Sequence, residues 1–443
     1  MDVPSPDERP HRTNRSDSGP LLFVLGLVIG LLAAVLLDRF TSGVADPDIE
    51  LVRQVRNLAM RDFVRDVDPE ELVDNALRGM LGGLDEYSDF YGPEEVGTVS
   101  RETSGTFRGI GVVFRQPTSE GQVLFPFPGS PAARAGVRVG DRIIEVDGRP
   151  LAEMEPGGLQ EALQNPEAED GSVRVLMRSL DDTERELSIH PEPLLDPTVR
   201  HAHMIDRERG IGYIAILAFS HRTPDEFDTA VAELRRQGLK RLVLDLRGNP
   251  GGILEAAVRI ANRFLSAGTI VSTRSRKETE KTVADPTEAT DTDLELVVLV
   301  DGSSASASEV LSGALQDHAA AALVGTPTYG KGTVQTLHEI TNGRGIVKLT
   351  TANYFTPSGR AIRRYPDGDG PSGIAPDEEV ELDAKTASKV HGFLRSYSPP
   401  PALRSEIEAW EKREGVELFA RAPDDAQLEA ALSLFGGGAN DDE

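Results

Sequence analysis

The stretch L-E-L-V-V-L-V-D-G-S-S-A-S-A-S-E-V-L-S-G-A-L-Q-D, residues 294–317, passes from one kind of structure to another within a few residues. Leu294–Val300 is a short apolar run rich in valine, the pattern of a strand buried on both faces. Asp301 to Ala305 are small or polar, and the spacing then predicts a helix from Ser306 to Asp317. A buried strand feeding a helix is the repeating unit of an α/β core. The same alternation extends to either side. Ile211–Ala218 and Leu239–Leu246 read as buried strands, and Pro224–Gln237 and Leu254–Phe264 as helices.

This core is predicted over residues 196–385, with other material around it. Residues 48–95 form a helical region: Leu51, Val55, Leu58, Ala59 and Phe63 make one apolar face, and Leu72, Ala76, Leu77 and Met80 another. Asp68-Pro69-Glu70-Glu71 is a helix start, and Gly82-Gly83 a stop. Residues 97–192 carry short β-branched runs separated by turns such as Asp147-Gly148, so they read as a β-rich domain bounded by Pro191, Pro193 and Pro197. Residues 272–293 are polar and read as an exposed loop. Residues 386–443 read as a helical tail, with a proline linker at Ser398–Pro401, a short amphipathic helix at Asp425–Phe435 and a disordered end from Gly436.

The N-terminus contains L-L-F-V-L-G-L-V-I-G-L-L-A-A-V-L-L, residues 21–37. As a helix it would extend roughly 25 Å, enough to cross a bilayer core. Arg9, Arg12 and Arg15 precede it and Asp46, Asp48 and Glu50 follow it. The positive-inside rule leaves residues 1–20 as a cytoplasmic leader and places the rest outside. Gly43-Val44-Ala45 would serve as a cleavage site, but the long polar leader favours an uncleaved transmembrane anchor. The net charge of −26 argues against a nucleic-acid partner. The chain has no cysteine, which excludes disulfides, thiolate metal sites and thiol nucleophiles.

Gly109-Ile110-Gly111-Val112-Val113-Phe114 is a glycine-rich loop running into a strand, able to aim successive amides at a carboxylate. It is followed by S-P-A-A-R-A-G-V-R-V-G-D-R-I-I-E-V-D-G at 130–148. The pair closely resembles a PDZ domain. That resemblance implies that the amides of Ile110, Gly111 and Val112 receive the C-terminal carboxylate of a peptide.

Three chemistries compete for the core. Gly248-Asn249-Pro250-Gly251-Gly252 looks like the nucleophile loop of a chymotrypsin-like protease, but proline stands where the serine is needed. Gly325–Lys331 matches the start of a phosphate-binding P-loop. Gly332 replaces its Ser or Thr, and a strand follows instead of a helix. The third is a Ser–Lys hydrolase using Ser306 and Lys331. A serine hydroxyl needs a base, and a lysine serves only when burial lowers its pKa enough to leave a neutral amine. No acid lies within four residues of Lys331, and the helix starting near Ser306 offers amides to an oxyanion. Gln335 is placed to accept a hydrogen bond from the lysine.

D-L-R-G-N-P-G-G at 245–252, S-A-S-A-S-E at 304–309, A-L-Q-D at 314–317, G-K-G-T-V-Q at 330–335, Y-F-T-P-S-G-R-A-I at 354–362 and G-I-A-P-D at 373–377 occur in that order. Together they resemble the C-terminal processing (tail-specific) peptidase family. The resemblance implies a crotonase-like (ClpP-like) α/β peptidase core with an inserted PDZ domain. It puts the nucleophile on Ser306, the general base on Lys331 and its orienting residue on Gln335. The oxyanion amides fall on Ala307 and Gly251, with Gly252 as the alternative, and Asp317 helps order the site. Leu84-Asp85-Glu86-Tyr87-Ser88 departs from the family pattern by having Glu86 in place of proline, a change expected to lie outside the catalytic set. The implied protein is a serine endopeptidase with no metal or cofactor, acting in the bacterial periplasm from the inner membrane, or secreted there if the N-terminal segment is cleaved. Its implied partners are proteins with exposed apolar C-termini, further copies of itself through the terminal helices, and an adaptor. The rival reading is a non-catalytic PDZ scaffold or chaperone on the same fold.

Overall fold

The structure is a computed structural model that describes residues 46–96, 105–115, 120–155, 157–166, 168–340, 343–364, 372–415 and 422–436. The expected leader, the apolar segment 21–37, its cleavage site and the last seven residues lie outside the described residues. Among the described residues, no helix is long and apolar enough to cross a membrane.

The chain divides into two units after Met80. The first holds helix Pro47–Asp62 and most of helix Pro69–Gly82. Asp46 caps the former by accepting the Asp48 amide at 3.0 Å, and Asp68 accepts the Glu70 amide at 2.8 Å. The first helix buries no residue, and Leu51, Val55, Leu58 and Phe63 are all more than half exposed.

The second unit is built on a six-stranded sheet. Its order is Val199–Asp206, Ile211–Ile216, Arg241–Asp245, Glu295–Val300, Ala321–Gly325 and Glu378–Glu379. The first pair is antiparallel and the rest are parallel. Every residue of Ile211–Ile216 is buried because both faces of the sheet are covered. Ile214, Ile216, Leu244, Val298 and Val300 pack with Phe227, Val231, Ile260, Phe264, Val310 and Leu311 from helices Thr223–Arg236, Leu254–Phe264 and Ala307–Asp317. On the opposite face Tyr213, Ala215, Val243, Val297 and Leu299 meet Val390 and Leu394 of helix Ala384–Arg395 and Ala431 of helix Ala426–Leu434. Residues beyond 385, read from the sequence as a tail, therefore supply the cover for one whole face.

A second sheet is organised around Gly345–Phe355, which pairs with Asp89–Tyr91, Thr269–Ser275 and Thr333–Ile340. Thr279–Val283 adds an outer strand to Thr269–Ser275. The expected loop at 272–293 thus contains a hairpin. Its outer strand is exposed throughout, and its Glu280 and Lys281 charges suit a sheet edge that must resist further pairing.

Residues 106–195 form the β-rich module. Strands Val112–Arg115, Gly121–Pro126, Arg142–Val146, Val173–Arg178 and Glu184–Ile189 make its main sheet. A ladder between Thr106–Gly109 and Glu192–Leu195 closes it where the chain enters and leaves. Helix Arg404–Glu414 docks on this module, where Ile407 and Trp410 are buried with Phe125 and Val139. Gly140 has φ +83°, and a Cβ there would overlap the Trp410 indole.

Gly140→Ala should therefore displace Trp410, the chain's one tryptophan. We expect a red-shifted emission maximum and a loss of about 1–3 kcal/mol of stability. An unchanged emission spectrum would show that the helix does not dock here.

Candidate active site

Strand Glu295–Val300 delivers the chain to a turn that ends at Ser306, the N-cap of helix Ala307–Asp317. Ser306 is half-buried and has φ +56° and ψ −112°, a conformation that non-glycine residues rarely adopt. Such backbone costs on the order of 1–3 kcal/mol and persists only where its surroundings enforce it. Glu309, three residues on, holds the Ser306 amide.

Glu309 is fully buried. Its Oε2 accepts the Ser306 amide and the Lys331 amide, each at 2.8 Å. Its Oε1 accepts the Gly330 amide at 2.6 Å and the Thr328 hydroxyl at 2.5 Å. One carboxylate thus joins the two backbones that carry the expected nucleophile and base. Burial raises the Glu309 pKa above its ordinary value, although the four donors favour the ionised form. The S-x-x-E spacing of Ser306 and Glu309 is a capping-box signature, the one sequence signal that could have singled out this acid.

Lys331 is half-buried and its ammonium stands 5.0 Å from the centre of the Tyr87 ring. Asp85 fixes that tyrosine's backbone, accepting the Tyr87 and Ser88 amides at 2.8 and 2.7 Å. The Ser88 hydroxyl then accepts the Thr350 amide at 3.1 Å. The Lys331 pKa is lowered, first by burial and then by the positive charge of Lys348, while Glu309 and Glu86 pull it upward. Glu86, expected to lie outside the site, therefore acts on its electrostatics. Gln335 lies in strand Thr333–Ile340, where its amide donates to Thr333 Oγ1 at 2.8 Å and Thr350 Oγ1 at 3.4 Å. Among the described residues, neither the Ser306 hydroxyl nor the Gln335 side chain hydrogen-bonds the Lys331 amine.

The Gly248–Gly252 loop packs directly against Ser306. A Cβ on Gly251 would lie 2.8 Å from Ser306 Cβ and 3.0 Å from the Ala307 nitrogen, and its φ of +101° also requires glycine. The Gly251 amide donates to Asn249 Oδ1 at 2.8 Å. Asn249 is fully buried, and its carbonyl accepts the Ala305 amide and the Ser308 hydroxyl at 3.0 Å. The Ala307 amide has no hydrogen-bond partner among the described residues. Gly252 has φ +136° and its Cβ position is filled by the Phe219 carbonyl. Asp317 accepts the Ser358 amide at 2.8 Å and Arg360 at 2.5 Å, ordering the turn after strand Gly345–Phe355.

In the β-rich module the carbonyls of Ile110 and Gly111 turn inward, accepting the Ala132 amide at 2.8 Å and the Phe127 amide at 2.9 Å. Their own amides have no partner among the described residues. Both residues, with Val112, line a cleft of about 500 Å³ whose walls include Phe107, Phe127 and Leu163.

Residues 210–380 match the model of peptidase family S41 and residues 127–178 that of a PDZ domain. The carboxy-terminal-processing protease of Bartonella bacilliformis is 32% identical over 94% of this chain and 95% of its own length. The chain belongs to peptidase family S41. The carboxy-terminal processing protease CtpA of Bacillus subtilis is 30% identical to this S41 chain over 82% of it and 77% of the relative. Among solved structures, a photosystem II D1 C-terminal processing protease is 28% identical, with a TM-score of 0.44, covering 74% of this chain and 86% of that one. The protein is a serine peptidase with a PDZ domain.

Glu309→Gln should disable this S41 site. A single amide oxygen cannot accept what two carboxylate oxygens accept, and its NH₂ would face N–H donors. We expect a stability loss of about 1–3 kcal/mol and a larger than tenfold fall in kcat. Wild-type turnover by this variant would remove Glu309 from the site.

Proposed function

We propose that the protein is a membrane-anchored endopeptidase that captures the C-termini of protein substrates and cleaves them with Ser306 and Lys331. The observation that carries this reading is the shared bonding of both residues' amides to Glu309. The Lys331 amine takes the proton of the Ser306 hydroxyl as Ser306 Oγ bonds to the scissile carbonyl carbon. The Ala307 amide, with Gly251 beside it, bears the oxyanion, and Gly252 is the alternative donor. Collapse breaks the C–N bond, Lys331 returns the proton to the leaving amine, and an acyl ester remains on Ser306. Water, deprotonated by Lys331, resolves the ester and regenerates the hydroxyl. Gln335 orients the lysine in this cycle.

The free amides of Ile110 and Gly111, with Val112, receive the substrate's terminal carboxylate, and the apolar cleft takes its last side chains. The uncharged run at 21–37, basic before and acidic after, supports an inner-membrane anchor with the catalytic unit in the periplasm. The exposed apolar face of helix Pro47–Asp62 supports self-association.

Cleavage of a folded reporter with an apolar C-terminal tail should be abolished by Ser306→Ala and by Lys331→Ala, and weakened by amidating the tail. Undiminished cleavage by both variants would sink the Ser–Lys assignment, and indifference to amidation would sink carboxylate capture. Lys348 helps keep Lys331 deprotonated, so Lys348→Met should raise the Lys331 pKa. The acid limb of kcat/KM should then move to higher pH. A limb that stays in place, or moves to lower pH, would contradict Lys331 as the base.

A further inference from the structure

Asp301 ends strand Glu295–Val300 and has no part in the chemistry described above. Its side chain is only 14% exposed. Oδ1 accepts the Gly248 amide at 3.0 Å and the Ser303 amide at 2.9 Å. Gly248 opens the loop that presses Gly251 against Ser306. Ser303 opens the turn that delivers Ser306 itself, and the Ser304 hydroxyl crosses to the Leu246 carbonyl at 2.8 Å. One oxygen therefore fixes the origins of both loops whose relative position sets the oxyanion geometry.

The other oxygen, Oδ2, bonds His391 Nε2 at 2.5 Å. His391 comes from helix Ala384–Arg395, beyond the residues that match the peptidase family. Its ring also lies beside the loop, with Cδ2 3.7 Å from where a Cβ on Gly248 would stand. The preceding residue, Arg247, is buried and held by Asp245, Asp425 and Gln427. The C-terminal segment thus grips the oxyanion loop at two consecutive residues.

The charges agree with this geometry. Burial alone would raise the Asp301 pKa, but the bonds from His391, Gly248 and Ser303 bring it below the ordinary carboxylate value. The bond to Asp301 raises the His391 pKa, against burial and the repulsion of Arg395 and Arg247. Beside the pair lies a cleft of about 210 Å³ lined by Arg247, Ser303, Thr326 and His391. Without the imidazole, Asp301 would have an unpartnered oxygen and room to rotate toward Arg247, away from the Gly248 amide.

We propose that His391 is a positioning residue for the peptidase reaction: by binding Asp301 it fixes the carboxylate that ties the oxyanion loop to the nucleophile turn. The proposal rests on the assignment of Ser306 as nucleophile. It predicts a loss in transition-state stabilisation and not in substrate binding, because the loop it ties down lies against Ser306 and outside the cleft that takes the substrate C-terminus.

The test is steady-state cleavage of an apolar-tailed peptide by the full chain and its His391→Ala and His391→Gln variants, with Ser306→Ala in parallel. His391→Ala should lower kcat by roughly tenfold or more with KM nearly unchanged. Added imidazole, which fits the vacated space, should restore part of the rate. His391→Gln keeps an N–H donor and should fall between wild type and His391→Ala, with wild-type Trp410 emission. If Ser306→Ala is inactive while both His391 variants keep wild-type kcat, the positioning role alone is overturned. A kcat loss that imidazole does not relieve, or one matched by a rise in KM, also overturns it. Cleavage by Ser306→Ala would overturn the catalytic assignment and this proposal together.

Discussion

The site depends on one buried carboxylate. Glu309 accepts four hydrogen bonds, and its partners come from two places 22 residues apart in sequence: the turn at Ser306 and the turn at Thr328–Lys331. A buried carboxylate without partners would be costly or would take up a proton. Four donors make the ionised form tenable, and in return they hold two loops that the Tyr329 amide also joins, by donating to the Ser304 carbonyl at 3.0 Å. The positive φ of Ser306 occurs beside this constraint, with its amide held by Glu309.

The next layer out is the sheet. Parallel strands buried on both faces need cover on both sides. Three helices from within the α/β alternation cover one face, and helices Ala384–Arg395 and Ala426–Leu434 cover the other. The same C-terminal stretch also buries Trp410 and Ile407 against the PDZ module. It is therefore part of the core of one domain and a clasp on the other.

The α/β alternation, the buried strand before Ser306 and the glycine loops at 109–111 and 248–252 were legible because each is written in local periodicity or turn residues. Glu309 was legible in principle through its capping-box spacing, but spacing alone does not reveal that the same acid reaches Lys331. The hairpin in 269–283 was missed because its outer strand faces solvent on both sides and has no alternation to betray it. The docking of Arg404–Glu414 was missed because the helix is polar apart from a few residues, and its two anchors find their partners some 280 residues earlier. Tyr87 lay hidden for a similar reason. Its place over Lys331 depends on the pairing of Asp89–Tyr91 with Gly345–Phe355, a long-range contact that no local pattern encodes.

Lys331, the proposed base, has mixed surroundings. Burial and Lys348 favour its neutral amine, the form able to accept a proton. Glu309 and Glu86 favour its ammonium, the form that exists once the proton has moved. A site with only the first pair would hold a free amine too weakly basic to draw the proton away. A site with only the second would hold an ammonium with nothing to accept. A general base works best when its pKa lies near the working pH, and for Lys331 burial and Lys348 outweigh the two acids, so that the net direction is downward. Glu86 belongs to the second pair. Its charge, set beside that of Glu309, thus favours the Lys331 ammonium.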